Sequence, residues 1–178
     1  MLIAVITTLV ISNSLSYELI GIGIIIGAII GAFFAIRVEM TQMPQMVAIF
    51  NGFGGIASAL VAAAEFVSPS DSLTTFGLST ISLSVFVGTL TFTGSFIAFG
   101  KLQGFISGKP IVFPGQQLLN AILAIIMLIA AYMIPSYGIN SFYIIVGLSA
   151  LLGILLVIPI GGAAVSYTHL TLPTTPYV

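Results

Sequence analysis

Long runs of apolar residues separated by short polar breaks make up most of this chain. A helix that crosses a bilayer needs about 20 mainly apolar residues, because the hydrocarbon core is roughly 30 Å thick and a helix rises about 1.5 Å per residue. Five runs reach this length, and a shorter run precedes them. They cover residues 18–38, 44–67, 78–101, 115–134 and 141–160, and the shorter run covers residues 1–11. None of the runs alternates with a period of two, which argues against strands.

The pattern therefore predicts an all-α fold, a polytopic transmembrane bundle of about six helices. The breaks between the runs are rich in Ser, Asn, Pro and Gly, which are turn-forming residues. Because all the breaks are short, we expect successive helices to be antiparallel neighbours. If the helices alternate, Arg37, Lys101 and Lys109 fall on one side of the membrane and Asp71 on the other. Loops with Lys and Arg stay cytoplasmic, so both chain ends are expected inside.

Composition agrees with a membrane protein and excludes other classes. The chain is 59% hydrophobic and 4% charged, whereas soluble domains carry about 25% charged residues. A net charge of -1 provides no basic surface for nucleic acid. There is no cysteine, and the single histidine, His169, lies outside every apolar run, so the sequence predicts no disulfide and no metal site. The expected surroundings are the lipid bilayer.

The last stretch, residues 165–178, departs from this pattern because it is rich in Thr and Pro and has no helical face. Two interpretations stay open. The stretch is either non-native, from a vector sequence or a frame shift, or a short disordered tail. The transmembrane domain is accordingly expected to cover residues 1–164.

Two helical stripes of small and polar residues stand out within the apolar runs. The first has members spaced 4, 3, 4 and 3 residues apart, and the second has spacings of 4, 4, 3 and 4, so each lies on one face of a helix. The first contains Asn51, Gly55, Ser58, Ala62 and Glu65; the second contains Thr80, Ser84, Gly88, Thr91 and Ser95. The two stripes are expected to face one another.

Two interpretations of these stripes are open. In the simpler one, the stripes allow close helix packing, for which Gly52, Gly55 and Gly88 are the candidates. In the other, they line a hydrated path, with Asn51 and Ser95 holding waters and Ser58, Ser84 and Thr91 as further lining. The amide of Asn51 favours the second interpretation, because an unpaired amide in hydrocarbon costs several kcal/mol and needs a partner.

The sequence assigns no chemistry to this chain alone. No His, Asp, Glu or Lys occupies the middle of a run, so a second subunit would have to supply a titrating group. Glu18, Arg37 and Glu39 are expected to be interfacial anchors. The segment Gly52-Phe53-Gly54-Gly55 lies within an apolar run without a preceding strand, so it is not a phosphate loop. We therefore assign no catalytic residue, no cofactor site and no metal site.

Three segments nevertheless resemble a known family. They are residues 38–48 (VEMTQMPQMVA), 51–55 (NGFGG) and 91–102 (TFTGSFIAFGKL). Over residues 18–163 the chain resembles the membrane domain of the beta subunit of the proton-translocating NAD(P) transhydrogenase. The resemblance implies a complex that transfers hydride from NADH to NADP+ while protons cross the membrane inward. NAD and NADP would bind soluble domains, and the membrane domain would provide the proton path.

The resemblance also implies roles for residues and partners. The polar position after the Glu-Met-Thr-x-Met-Pro motif falls on Asn51, and the serine of Thr-Phe-Thr-Gly-Ser falls on Ser95; both line the proton pathway in the family. Members with asparagine at the first position take a histidine from the alpha subunit. The implied partners are that alpha subunit, the NADP-binding domain of the beta subunit and a second copy of the complex, in a bacterial inner membrane.

The ends of the chain depart from the family pattern. After residues 160–163 the family continues with Asp-Met-Pro, further helices and the NADP-binding domain, and its first beta-subunit helix is not recognisable here. The chain is thus expected to be an internal fragment. Two alternative functions are a small transporter or channel subunit and a structural assembly subunit, neither with a redox role.

Overall fold

The computed structural model describes residues 16–67, 69, 74–132 and 139–161. The predicted helix over residues 1–11, the predicted tail over residues 165–178, Asp71 and His169 lie outside the described residues. All regular elements in the described ranges are helical. They are α1 (Tyr17–Arg37), a short 3-10 helix (Met40–Gln42), α2 (Met43–Val67), α3 (Thr75–Leu102), α4 (Gln116–Tyr132) and α5 (Ile139–Val157). The prediction of an all-α membrane bundle is confirmed.

Length and composition separate α4 from the other helices. In the part of the chain that the structure describes, four helical segments are long and apolar enough to cross a membrane: α1, α2 with its preceding 3-10 turn, α3 and α5. The described part of α4 is a shorter apolar helix of 17 residues. At about 1.5 Å per residue it is about 25 Å long, somewhat less than the roughly 30 Å hydrocarbon core.

Two helix boundaries differ from the predicted ones by three residues, each for a local reason. The helix α3 begins at Thr75, earlier than predicted, because Thr74 caps it: Thr74 Oγ1 accepts a hydrogen bond of 3.1 Å from the backbone N–H of Gly77. The helix α5 ends at Val157 instead of Ile160. Pro159 follows closely, and a proline disfavours helical backbone at the residue before it.

The chain divides into two compact units, Met1–Gln42 and Met43–Val178. In the first unit, α1 ends on a basic residue, Arg37, which suits the negative end of a helix. The Arg37 guanidinium carbon lies 5.6 Å from the centroid of the Phe33 ring. This contact is close enough for a cation–π interaction at the end of the apolar helix.

In the second unit, the helices pack in the order α2, α3, α5, α4. The expectation of antiparallel neighbours holds for α2 with α3 and for α4 with α5. It does not hold for α3 and α4, which touch only marginally, because α5 packs against both of them. As a result, α3 has α2 on one side and α5, which runs parallel to it, on the other.

A core of side chains from all four helices closes one end of this unit. It contains the buried residues Ala62, Ile81, Val85, Met127, Ala130, Phe142 and Ile145. The ring of Phe66 packs against this core and stacks on the ring of Phe142, with centroids 4.9 Å apart. Outside the core, large aliphatic and aromatic side chains are exposed along the helices. Lipid tails suit such surfaces, whereas water does not.

Candidate functional site

Two glycines bring the backbones of α2 and α3 into direct contact. A Cβ atom added at Gly55 would lie 2.7 Å from the carbonyl oxygen of Gly88. One added at Gly88 would lie 2.5 Å from the oxygen of Gly55 and 2.8 Å from the nitrogen of Ala59. Because backbone atoms cannot move aside as a flexible side chain can, no larger residue fits at either position without separating the helices. The close-packing candidates Gly55 and Gly88 thus face one another.

Next to this contact, Asn51 and Ser95 form a hydrogen bond between the two helices. The Asn51 Nδ2 donates to Ser95 Oγ at 2.8 Å. Ser95 is 8% exposed, and Asn51 is exposed at the edge of the interface. Gly52 allows the approach, since a Cβ there would lie 3.2 Å from the Cβ of Ser95 and 3.2 Å from the Phe96 ring. The structure therefore joins the two pathway candidates directly.

The other lining candidates have different positions. Thr91 is half-buried beside Gly55, where its Cβ would lie 2.9 Å from an added Cβ. Ser84 is half-buried on α3. Ser58 is exposed, and the next residue, Ala59, takes the interface position opposite Gly88. The first stripe therefore does not face α3 along its whole length, because the closest contact centres on the side of α2 that contains Gly52 and Gly55.

Thr80 also lies outside the contact between the stripes. Its side chain is exposed, and Oγ1 donates to the carbonyl oxygen of Phe76 at 3.0 Å. A hydroxyl that bonds the carbonyl four residues earlier satisfies itself within its own helix. The part of the second stripe that meets α2 is accordingly the part from Gly88 to Ser95.

A second polar cluster, at the end of α3 and α5, was missed from the sequence. Lys101 is 6% exposed although it had been interpreted as a loop cation. Its ammonium group donates to the carbonyl oxygens of Val157 at 3.4 Å, of Ile160 at 2.7 Å and of Ile158. These bonds tie the last turn of α3 to the end of α5.

Two glutamines complete this cluster. Gln116, which is 5% exposed, donates from Nε2 to the carbonyl oxygen of Leu155 at 3.0 Å. Gln45, which is 9% exposed, donates to the carbonyl oxygen of Leu102 at 3.5 Å, while its Oε1 is buried without a partner among the described residues. The last carbonyls of a helix have no partner within the helix, and they carry the negative end of its dipole. Side chains from neighbouring helices supply donors here.

The sequence contains only a partial signal for this cluster. Lys101 follows Ser95 by six residues, and at about 100° per residue the two side chains are separated by roughly 240° around the helix. Lys101 therefore had to lie on a different face of α3 from the Ser95 stripe. Without a structure, however, no feature distinguished an inward-turned lysine from one that reaches water.

A cavity of about 690 Å³ opens at the same end of the unit. It is lined by Val112, Phe113, Gly115, Gln116, Gln117, Leu118, Asn120, Leu156 and Pro159. The Oδ1 of Asn120 is buried without a partner among the described residues. Neither Asn51 nor Ser95 lines this cavity, so it is separate from the polar pair.

The comparisons with known proteins agree with the resemblance of the three motifs. The family model of the NAD(P) transhydrogenase beta subunit matches residues 1–168. Two curated sequences named NAD(P) transhydrogenase subunit beta, both from Rhodospirillum rubrum, are 40% identical to the chain over 171 residues. The matched region covers 92% of this chain and 37% of each relative, so the chain spans little more than a third of their length. The chain belongs to the NAD(P) transhydrogenase beta subunit family.

Proposed function

We propose that this chain is the membrane proton-conducting part of an NAD(P) transhydrogenase and couples inward proton translocation to hydride transfer from NADH to NADP+. Family membership and the apolar helices support a membrane role. The hydride transfer itself belongs to soluble domains that bind NAD and NADP, because the membrane helices offer no nucleotide-binding motif.

The observation that carries this proposal is the 2.8 Å hydrogen bond from Asn51 to Ser95. Amide and hydroxyl groups both donate and accept hydrogen bonds, so each side chain retains capacity for a water molecule. Ser95 uses its oxygen as the acceptor in this bond, which leaves its O–H as a donor. Neither group titrates near neutral pH, so their role is to orient water along the path rather than to hold the proton.

The partner that supplies the titrating group is proposed to be a helix of the alpha subunit. Asn51 and Ser58 are seven residues apart, lie on one face of α2 and are both exposed. Polar side chains facing lipid are costly, whereas a facing helix can satisfy them. A histidine from that helix would meet the Asn51 side of the pair, and Ser58, Ser84 and Thr91 remain candidates for further lining.

The same proposal includes the other parts of the complex. The NADP-binding domain of the beta subunit completes the catalytic machinery, and two copies of the complex associate in a bacterial inner membrane. Family membership and the apolar helices are the support for these partners.

The test replaces Asn51 with leucine in a full-length beta subunit that is assembled with its alpha subunit in proteoliposomes. Proton-coupled hydride transfer should fall at least about tenfold, since a misplaced group in a proton path is costly. NADP binding should be unchanged. Asn140, exposed at the start of α5, provides the matched control as Asn140→Leu. A coupled rate equal to that of the parent complex would refute the role of Asn51.

A further inference from the structure

Lys101 occupies an unusual position for a lysine at the end of a membrane helix. Such side chains ordinarily extend toward the headgroups and water. Lys101 instead is 6% exposed, whereas Lys109 in the loop that follows is exposed. Within the described part of the chain, its hydrogen-bond partners are main-chain carbonyl oxygens at the end of α5, and none is a carboxylate. Burial of an ammonium group is unfavourable in free energy, and this indicates that Lys101 has a function in this position.

We infer that Lys101 is a positioning residue that fixes the height of α3 along α5 and thereby holds Ser95 opposite Asn51. The inference rests on the proposed function, because the proposed proton path is what makes the geometry of the Asn51–Ser95 pair important. It assigns to Lys101 a role distinct from that of a cation which orients the chain in the membrane.

In the half of α3 that contains Ser95, the contacts with both neighbouring helices are made at glycines. On the α2 side, the backbone of Gly88 is in direct contact with the backbone of Gly55. On the α5 side, a Cβ added at Gly153 would lie 2.5 Å from the carbonyl oxygen of Leu90, and one added at Gly94 would lie 3.4 Å from the oxygen of Gly153. Side chains also seat in these close contacts, since Thr93 Oγ1 lies against Gly153 and Val157 Cγ2 would lie 3.1 Å from a Cβ added at Gly94.

Directional polar contacts can reinforce the register that these contacts set. A buried polar group is known to set the register of packed helices elsewhere, at a cost in stability. On the α5 side of α3, the Lys101 ammonium meets carbonyls from three residues of one helix end. The helix α2 is joined to α5 by the stacked rings of Phe66 and Phe142, so a shift of α3 along α5 also moves Ser95 relative to Asn51.

The helix transmits the position of Lys101 to Ser95. The two residues are six positions apart on α3, which is about 9 Å along a continuous helix. A slip of one residue would move Ser95 by about 1.5 Å, and this shift is enough to break a bond of hydrogen-bonding length. Loss of the Lys101 contacts would also leave the oxygen of Ile160 without its donor.

The test uses a full-length beta subunit assembled with its alpha subunit in proteoliposomes. The variants are Lys101→Met, which removes the donors, Lys101→Arg, which retains the charge and donors, and Lys109→Met as the matched control. The first readout is the rate of proton-coupled hydride transfer. Lys101→Met should lower this rate about tenfold, because misplacement by about 1 Å is costly, while Lys101→Arg restores most of it and Lys109→Met leaves it unchanged.

The second readout measures geometry independently of proton transfer. The chain contains no cysteine, so the pair Asn51→Cys and Ser95→Cys can be introduced without others within it, and its rate of disulfide formation reports the register of α2 and α3. Lys101→Met should slow this cross-linking several-fold, and Lys109→Met should not. Should Lys101→Met fail to assemble, Lys101→Gln, which keeps an amide donor, makes the same comparison.

The outcomes separate the two proposals. Cross-linking that is as fast with Lys101→Met as with the parent chain overturns the positioning role. Slower cross-linking with an unchanged coupled rate supports the positioning role and overturns the proton path through Asn51 and Ser95. Slower cross-linking, a lowered coupled rate and rescue by Lys101→Arg together support both.

Discussion

Asn51 on α2 donates a 2.8 Å hydrogen bond to Ser95 on α3, about one turn from Gly55 along α2 and two turns from Gly88 along α3. The small residues and the polar pair therefore depend on one another. Without the glycines the two helices would stand too far apart for a direct bond between such short side chains. Without the pair, an amide would face hydrocarbon with no partner from α3.

The first prediction concerns the hydroxyl of Ser95. Ser95→Ala removes the acceptor for Asn51 and should lower the proton-coupled rate of the full complex about tenfold. The pH at which this rate is half-maximal should stay the same, because neither side chain of the pair titrates near neutral pH. Rates measured in proteoliposomes between about pH 5.5 and 8.5 test both statements.

Ser82→Ala provides the control for this prediction. Ser82 is 3% exposed on the same helix, and its Oγ donates to the carbonyl oxygen of Leu78 at 2.6 Å within that helix. Its loss should therefore leave the coupled rate nearly unchanged. A further check is the double variant of Asn51→Ala and Ser95→Ala, whose effect should be clearly smaller than the product of the two single effects, since the residues contact each other. Fully multiplicative effects would contradict the pairing.

The second prediction concerns the glycine contact. Gly88→Ala places a Cβ 2.5 Å from the oxygen of Gly55, so the helices must separate. We expect a loss of about 1–3 kcal/mol in stability, as for other overpacked interiors. Thermal unfolding of the detergent-solubilised complex measures the effect. Gly147→Ala, on α5 with nothing within 4 Å of its added Cβ, should not lower the melting temperature.

The fold and the polar pair were largely predictable from the sequence. The lengths of the apolar runs predicted the helices, and helical periodicity placed Asn51 and Gly55 on one face and Gly88 and Ser95 on another. Ser58 shows the limit of this reasoning, because Ala59 lies opposite Gly88 instead. Adjacent positions on a helix differ by about 100°, so a contact centred on Gly52, Gly55 and Ala59 leaves Ser58 outside it.

The helix order and the role of Lys101 were not predictable. A side chain that faces lipid and one that faces another helix are equally apolar, so α2 to α5 gave no signal of which pairs would meet. Lys101 ends an apolar run, where a lysine ordinarily reaches water. Only the position of the end of α5 beside α3 shows that its carbonyls receive the ammonium group.

The third prediction tests the capping of α5 by a glutamine. Gln116→Leu removes the donor to the Leu155 carbonyl, which then stays buried without that bond. Leaving a buried acceptor unpaired costs about 1–3 kcal/mol, so the melting temperature of the complex should fall. The adjacent residue offers a matched control, because Gln117 is exposed and Gln117→Leu should have little effect. Equal melting temperatures for both variants would show that the bond contributes nothing measurable.

The fourth prediction concerns the exposed polar face of α2. Ser58 shares this face with Asn51, and both side chains are exposed. If the face meets the alpha subunit, Ser58→Leu replaces a small polar side chain at a helix contact with a bulky one and should reduce assembly several-fold, since small residues permit close approach between membrane helices. The measurement is the amount of alpha subunit that copurifies with an affinity-tagged, full-length beta subunit. Ser79→Leu, at an exposed serine on α3, serves as the control and should leave assembly unchanged. Normal copurification with Ser58→Leu would place the alpha subunit on a different face, and the histidine expected beside Asn51 would then have to come from elsewhere.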